Sequence, residues 1–407
     1  MYQPEVLIIG AGAAGTAAAR LLNSASGIEV TLVGRTGEVP YNRTLVNKGI
    51  AVGLLTPEQT ALPGVNALLD TALRIDTAAR RVHLASGAAV GYDALLVATG
   101  SIPRGLHVPG ADDAAAAGKL TTLHSINDAI RVRDALGAVG RPGRIVISGA
   151  GLIAGETATL LRENGHHVTL LARSPLPGVT AFGQELAGRL ADGHRAHLAT
   201  AFGRAPVSIR VDNAELTIQL DDGSFLEADL FVVAHGTTPD APAPWKAGVG
   251  VDETLRVAEV GVYAAGGVAI HHDDLLGTWR IDHWAEATAQ GEHAARAILA
   301  DLGVSADPGR YWPRAPFTSI IGGSIVAGAG LISSGLSTRI ESVDPLVFVH
   351  EHNGVPMGAI GMDAAPLVFS WIPKLYATGD PVGDAAQLVA HRVSVDRSID
   401  RAVDTGT

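Results

Sequence analysis

The hydrophobic and polar positions of this chain repeat one grammar twice. Residues Val6–Gly15 read VLIIGAGAAG and residues Ile145–Ala154 read IVISGAGLIA. Each copy is a short β-branched and apolar run, then a glycine-rich turn, then an alanine- and leucine-rich stretch of helical character. A second strand-like run follows each helix, Glu29–Val33 in the first copy and His167–Leu171 in the second. Two βαβ units are therefore expected.

Further apolar runs bounded by turn residues lie at Tyr92–Gly100, Leu230–Ala234 and Gly261–Val268. Their near-continuous apolar character predicts strands covered on both faces. The pattern changes around Tyr311–Pro316, after which alternating segments such as Pro345–His352 (PLVFVHEH) predict a separate antiparallel module. The expected fold class is α/β, with two Rossmann-like dinucleotide-binding domains plus a C-terminal α+β domain. The expected boundaries are residues 1–112 with 237–312 for a discontinuous first domain, 113–236 for the second and 313–407 for the third. The tail from Val393 reads as a surface helix or frayed end.

A length of 407 residues suits two or three packed domains. A net charge of −11 argues against a nucleic-acid binder, which needs clustered Lys and Arg. The absence of cysteine removes disulfides, thiolate metal sites and dithiol redox chemistry together. No stretch offers the roughly 18 uninterrupted apolar residues of a membrane span, and the apolar start lacks a basic leader. A cytoplasmic protein, monomeric or homodimeric, is the expectation.

A backbone that must approach a pyrophosphate closely cannot carry Cβ atoms at the contact, and the following helix offers free N–H groups and its positive dipole end to the anion. Gly10, Gly12 and Gly15 meet this requirement after a strand and before a helix. Gly149 and Gly151 repeat it, with Ala154 at the third position, a tolerated variant. The second strand of such a unit normally ends on a carboxylate for the ribose hydroxyls. Here the two places read Gly34-Arg35-Thr36 and Ala172-Arg173-Ser174, and only Glu38 lies near the first. An arginine without an acidic neighbour suits the 2′-phosphate of NADP, so of NADP and NAD, Arg173 favours NADP.

In order and spacing, these motifs resemble the FAD-dependent pyridine nucleotide oxidoreductases of the ferredoxin, rubredoxin and putidaredoxin reductase type, over nearly the full length. The resemblance rests on the first loop, Pro40–Arg43 with Lys48, Val97–Gly100 (VATG), and the second loop with Glu156. It continues through Gly261–Gly266 (GVYAAG), His283-Trp284 and a C-terminal module of matching size. It implies FAD at the first loop, NAD(P)H at the second, and hydride passing to the flavin, with electrons then leaving singly to a ferredoxin-type protein or to a small molecule. The catalytic candidates are Lys48, beside the reactive flavin nitrogen, and its partner Glu156. A cation there stabilises negative charge on the reduced ring and needs a counter-charge where buried. Arg43 is expected at the flavin phosphate or ribose. Arg35, Thr99, Gly100, Gly267 and Trp284 complete the cofactor-binding positions.

This sequence also departs from the resemblance. An aspartate usually follows the Ala-Gly of GVYAAG to bind the flavin ribityl chain, and here Gly267 stands there. A carboxylate is usual near Arg35-Thr36. The aromatic start of the C-terminal module reads Ala315–Ile320 (APFTSI). These losses motivate an alternative, a member recruited to a biosynthetic pathway as a non-redox isomerase or cyclase with weakened or lost flavin binding. A non-catalytic scaffold is a third reading. No metal site is expected, since His271-His272-Asp273-Asp274 reads as a solvated loop without a third ligand cluster. His166-His167 reads as structural, and no Ser/His/Asp order or GxSxG elbow supports hydrolysis.

Overall fold

The computed structural model describes residues 2–35, 39–212, 215–333 and 335–377. Thr36, Glu38 and the tail from Val393 lie outside the described residues. The two apolar runs that open the repeated grammar are central strands. Glu5–Ile9 pairs in parallel with Glu29–Gly34 on one side and Ala94–Val97 on the other, in a five-stranded sheet completed by Val262–Ala264 and Leu68–Leu69. Arg144–Ser148 holds the same place in a second all-parallel sheet, between His167–Ala172 and Leu230–Val233, with Ala199–Phe202 and Leu120–Thr122 at its edges. Leu7, Ile8, Leu95, Ile147 and Phe231 are fully buried, as strands covered on both faces require.

The helix Ala13–Asn23 follows the first strand and lies against the helix Trp284–Asp301. Small residues permit this close crossing, since a Cβ on Gly291 would overlap the Ala14 carbonyl. The helix Leu152–Glu163 is its counterpart in the second unit. A third, antiparallel sheet runs in the order Pro316–Ile321, Ser324–Gly330, Val355–Met362, Leu346–His352, Ser337–Val343. It docks on the helix Leu152–Glu163, where the Gly322 amide donates to Thr159 Oγ1 at 2.9 Å.

The segment His271–Asp274 differs from the sequence expectation. Ala269–Asp273 is a strand, not a solvated loop, with His271 and Asp273 buried. His271 stacks on Trp279 at 3.6 Å between ring centroids, and Asp273 takes Arg310 at 2.7 Å. These contacts supply the burial that a run of four polar residues conceals. No group of three or more metal-ligating side chains occurs among the described residues. His166 is structural, its Nδ1 accepting from the Gly143 amide at 3.0 Å. No described helix is long and apolar enough to cross a membrane.

One buried acid ties the helix Trp284–Asp301 to the segment that leads into the third sheet. Glu286 accepts from Tyr311 Oη at 2.6 Å, Gln290 Nε2 at 3.3 Å and the Ala315 amide at 3.4 Å. Burial nevertheless pushes its carboxyl up to about 7. The folded chain then keeps a proton that the unfolded chain releases near pH 4.3. This stabilisation is complete below the unfolded value and is lost as pH rises through about 7. Glu286→Gln keeps the shape but cannot titrate. Relative to this variant, the natural chain is expected to lose on the order of 3 kcal/mol of unfolding free energy between pH 4 and pH 8. Urea unfolding at the two pH values measures it, and parallel pH profiles for both chains would contradict it.

Candidate functional site

Both glycine loops open onto one cavity of about 630 Å³, within the range of small-molecule and cofactor sites. In each loop the first two glycines are glycine for different reasons. Gly10 has φ +109° and Gly149 has φ +129°; a Cβ on either would overlap a carbonyl of the neighbouring strand end, Ala98 or Ala234. The fold itself demands these two. Gly15 is likewise pressed against the Gly10 carbonyl.

Gly12 and Gly151 are unlike them. Their backbones are extended, φ −84° and ψ −164° for Gly12, φ −81° and ψ −175° for Gly151, conformations open to any residue. A Cβ on either would meet nothing within 4 Å. Each caps the N-terminus of its helix, and each lines the cavity. A space that only a missing Cβ keeps free, at the positive end of a helix, fits the pyrophosphate of a dinucleotide. Ala154 lines the same cavity but is itself buried.

Lys48 and Glu156 meet at the wall shared by the two loops. Lys48 sits on a π-helical turn, Val46–Ile50, a form frequent at functional sites. Its Nζ lies 3.1 Å from Glu156 Oε1, with Lys48 part-exposed and Glu156 buried. Three more donors serve Glu156: Asn47 Nδ2 at 2.9 Å, Ser319 Oγ at 3.2 Å and the Ile320 amide at 3.4 Å. The pair thus gathers the π-turn, the second helix and the third sheet at one point. Asn47 and Ser319 had no sequence signal of their own.

His283 and Trp284, at the start of the helix Trp284–Asp301, line the cavity as well. Burial and then Lys48 hold His283 down to about 4, so it is neutral in the physiological range. Phe317 packs against it with centroids 5.5 Å apart. Within the segment APFTSI, Phe317 is thus the one aromatic ring, and it lines the cavity beside His283.

Arg43 also lines the cavity, with Nη1 at 3.1 Å from His124 Nδ1. Burial, then Arg43, lowers His124 to about 4. Thr99 Oγ1 donates to the Asp240 carbonyl at 2.5 Å, and Gly100 turns the chain at φ +78°. Arg35 pairs with Asp240 at 2.7 Å, so a carboxylate from far along the chain stands beside Arg35 in space. Gly267 also has a carboxylate beside it, that of Asp282. Arg173 lies outside the cavity, exposed just beyond the strand His167–Ala172, with no acidic partner among the described residues.

Residues 4–291 match the family model described as pyridine nucleotide-disulphide oxidoreductase. The chain is 30% identical over 327 residues to the biphenyl dioxygenase system ferredoxin–NAD(+) reductase component of Paraburkholderia xenovorans (strain LB400), covering 72% of this chain and 74% of that protein. It is 30% identical over 330 residues to putidaredoxin reductase CamA of Pseudomonas putida, covering 73% and 74%. The solved ferredoxin reductase for the CYP199A2 system from Rhodopseudomonas palustris superposes with a TM-score of 0.77 at 25% identity, covering 89% of this chain and 91% of that one. The chain belongs to the pyridine nucleotide-disulphide oxidoreductase family, as an oxidoreductase of the ferredoxin reductase type whose cofactors are FAD and a nicotinamide dinucleotide.

Proposed function

We propose that this chain takes hydride from NADPH bound at Gly149–Ala154, delivers it to FAD bound at Gly10–Gly15, and passes the electrons to a ferredoxin-type iron–sulfur protein. The observation that carries this reading is the pair Gly12 and Gly151, two open helix N-termini facing one cavity that the fold alone does not require to be glycine. Residues 1–112 with 237–312 would hold FAD, 113–236 the nicotinamide dinucleotide, and 313–407 the cover over the ring. Lys48, anchored by Glu156, presents a cation to the ring where reduction places negative charge. Arg43 serves the flavin phosphate or ribose, Arg35 and Asp240 the adenosine end, and Thr99 and Gly100 shape the floor. His283, Trp284 and Phe317 exclude water.

The chain holds no cysteine, so no redox disulfide can relay electrons and the flavin is the last carrier. A ferredoxin acceptor is favoured by relatives whose names contain it. A small-molecule acceptor is the other outcome of the test. Reduction of a ferredoxin by NADPH and the purified protein, compared with reduction of a small quinone or dye, decides between them. The comparisons lend no support to the isomerase or cyclase reading.

The relative from Paraburkholderia xenovorans is named for NAD(+), whereas Arg173 makes NADPH the candidate for this chain. Its guanidinium stands exposed where an acid would repel the extra phosphate, and can grip that phosphate bidentately. Arg173→Glu is expected to raise the apparent dissociation constant for NADPH by about 10-fold or more, since a charge-assisted contact is worth about 1.5–3 kcal/mol. NADH should lose less, or gain. Equal changes for both cofactors in stopped-flow reduction would show that Arg173 does not bind the 2′-phosphate.

A further inference from the structure

Asp282 immediately precedes the cap of the helix Trp284–Asp301 and lines the cavity together with Ser101, Thr237, Gly266 and Gly267. Three donors converge on one of its oxygens. Ser101 Oγ reaches Oδ2 at 2.7 Å, Arg280 Nη2 reaches it at 2.9 Å, and Thr237 Oγ1 donates to it as well. Arg280 is fixed in turn by its Nε, which donates to the Gly267 carbonyl at 2.7 Å. Burial pushes the Asp282 carboxyl up, but the bonds from Thr237 and Ser101, then the charges of Arg280 and His124, hold it below the usual aspartate range. The group is an anion.

Its other oxygen, Oδ1, has no donor among the described residues. It lies directly over Gly267, where a Cβ would overlap it. This point falls between the two ends of the cavity. Gly266 faces Ala14 at the start of the first helix, beside the Gly12 end, while the next residue after Asp282 is His283, which packs on Phe317 and feels Lys48. Asp282 is exposed on the cavity wall, so Oδ1, whose twin takes three bonds, is free to accept from a hydroxyl donor placed in the cavity.

We propose that Asp282 is a positioning residue for FAD, its Oδ1 accepting a hydrogen bond from the polyhydroxylated chain that links the pyrophosphate to the ring. The inference rests on the placement of FAD proposed above. It also explains Gly267. The carboxylate arrives from the opposite wall and stands where the Cβ of a side chain at 267 would lie, so glycine at 267 leaves room for the acid at 282.

Titration of apoprotein with FAD, followed by quenching of flavin fluorescence, tests this without any turnover. Asp282→Ala is expected to raise the FAD dissociation constant by about 10-fold or more, with Asp282→Asn, which keeps the shape, showing a smaller loss in the same direction. Gly267→Asp alone is expected to weaken FAD by crowding and like charge. Gly267→Asp combined with Asp282→Ala should recover affinity to within about 3-fold of the natural chain, because the carboxylate then reaches the same point from the other wall. Unchanged affinity in both Asp282 variants would overturn the inference. So would a double variant no tighter than Gly267→Asp alone, the result expected if Asp282 only braces Ser101, Thr237 and Arg280. A natural chain that binds no FAD would overturn the FAD placement itself, and this inference with it.

Discussion

Replacing Gly12 with valine is expected to strip FAD from the protein without unfolding it. The backbone at Gly12 is extended, so valine adopts it without strain, and its Cβ meets no atom within 4 Å. The side chain would instead fill the space at the helix N-terminus that the pyrophosphate needs, displacing contacts worth about 1.5–3 kcal/mol each. A loss of FAD affinity on the order of 100-fold or more follows. The apoprotein should melt within about 2 °C of the natural apoprotein, as surface substitutions do. Gly151→Val repeats the experiment at the other loop, where FAD should stay bound and NADPH should reduce it only at far higher concentration. Gly10→Ala is the control with the opposite signature, since φ +109° and the Ala98 carbonyl make the loop itself unstable. Stoichiometric FAD in Gly12→Val, or wild-type reduction of Gly151→Val, would contradict these assignments.

Lys48→Met is expected to keep FAD and slow its reduction. Glu156 keeps three donors when Lys48 is removed, from Asn47, Ser319 and the Ile320 amide, so the buried carboxylate is not stranded and the fold should hold. What is lost is a cation at the point where negative charge develops. A charge-assisted interaction of about 1.5–3 kcal/mol corresponds to a fall of roughly 10- to 100-fold in the rate constant at saturating NADPH. The same energy lowers the two-electron flavin potential by about 30–60 mV. Glu156→Gln leaves the cation in place but loosens its anchor, and should cost less in rate. Stopped-flow reduction and a potential measurement on the same variants separate the electrostatic role from a structural one. A Lys48→Met protein with unchanged rate and potential would show that Lys48 does not approach the ring.

The parts of this molecule that sequence reasoning reached are those specified locally. A glycine at φ +109° or +129° between a buried strand and a helix can be read from a few neighbouring residues, and it recurs twice. The pairing of Lys48 with Glu156, 108 positions apart, came only from the resemblance, because no local rule brings a π-turn to the second βαβ helix. The pairings made across the cavity were not legible from local sequence. Asp240 serves Arg35 from far along the chain, Asp282 stands over Gly267 from the opposite wall, and Phe317 reaches His283 from the third sheet. No sequence neighbour identifies these partners, because packing supplies each of them across the cavity. The burial of His271–Asp273 is hidden from local sequence for a related reason, since it depends on Trp279 and Arg310.

At the centre of these assignments is a cavity that holds FAD and lets a nicotinamide dinucleotide reduce it. The absorption spectrum of the purified protein, followed through an anaerobic titration with NADPH, tests this most directly. A yellow protein with stoichiometric FAD is expected, its visible bands bleaching as NADPH is added. A colourless protein that added FAD cannot reconstitute, or a yellow one that neither NADPH nor NADH bleaches, would contradict these assignments.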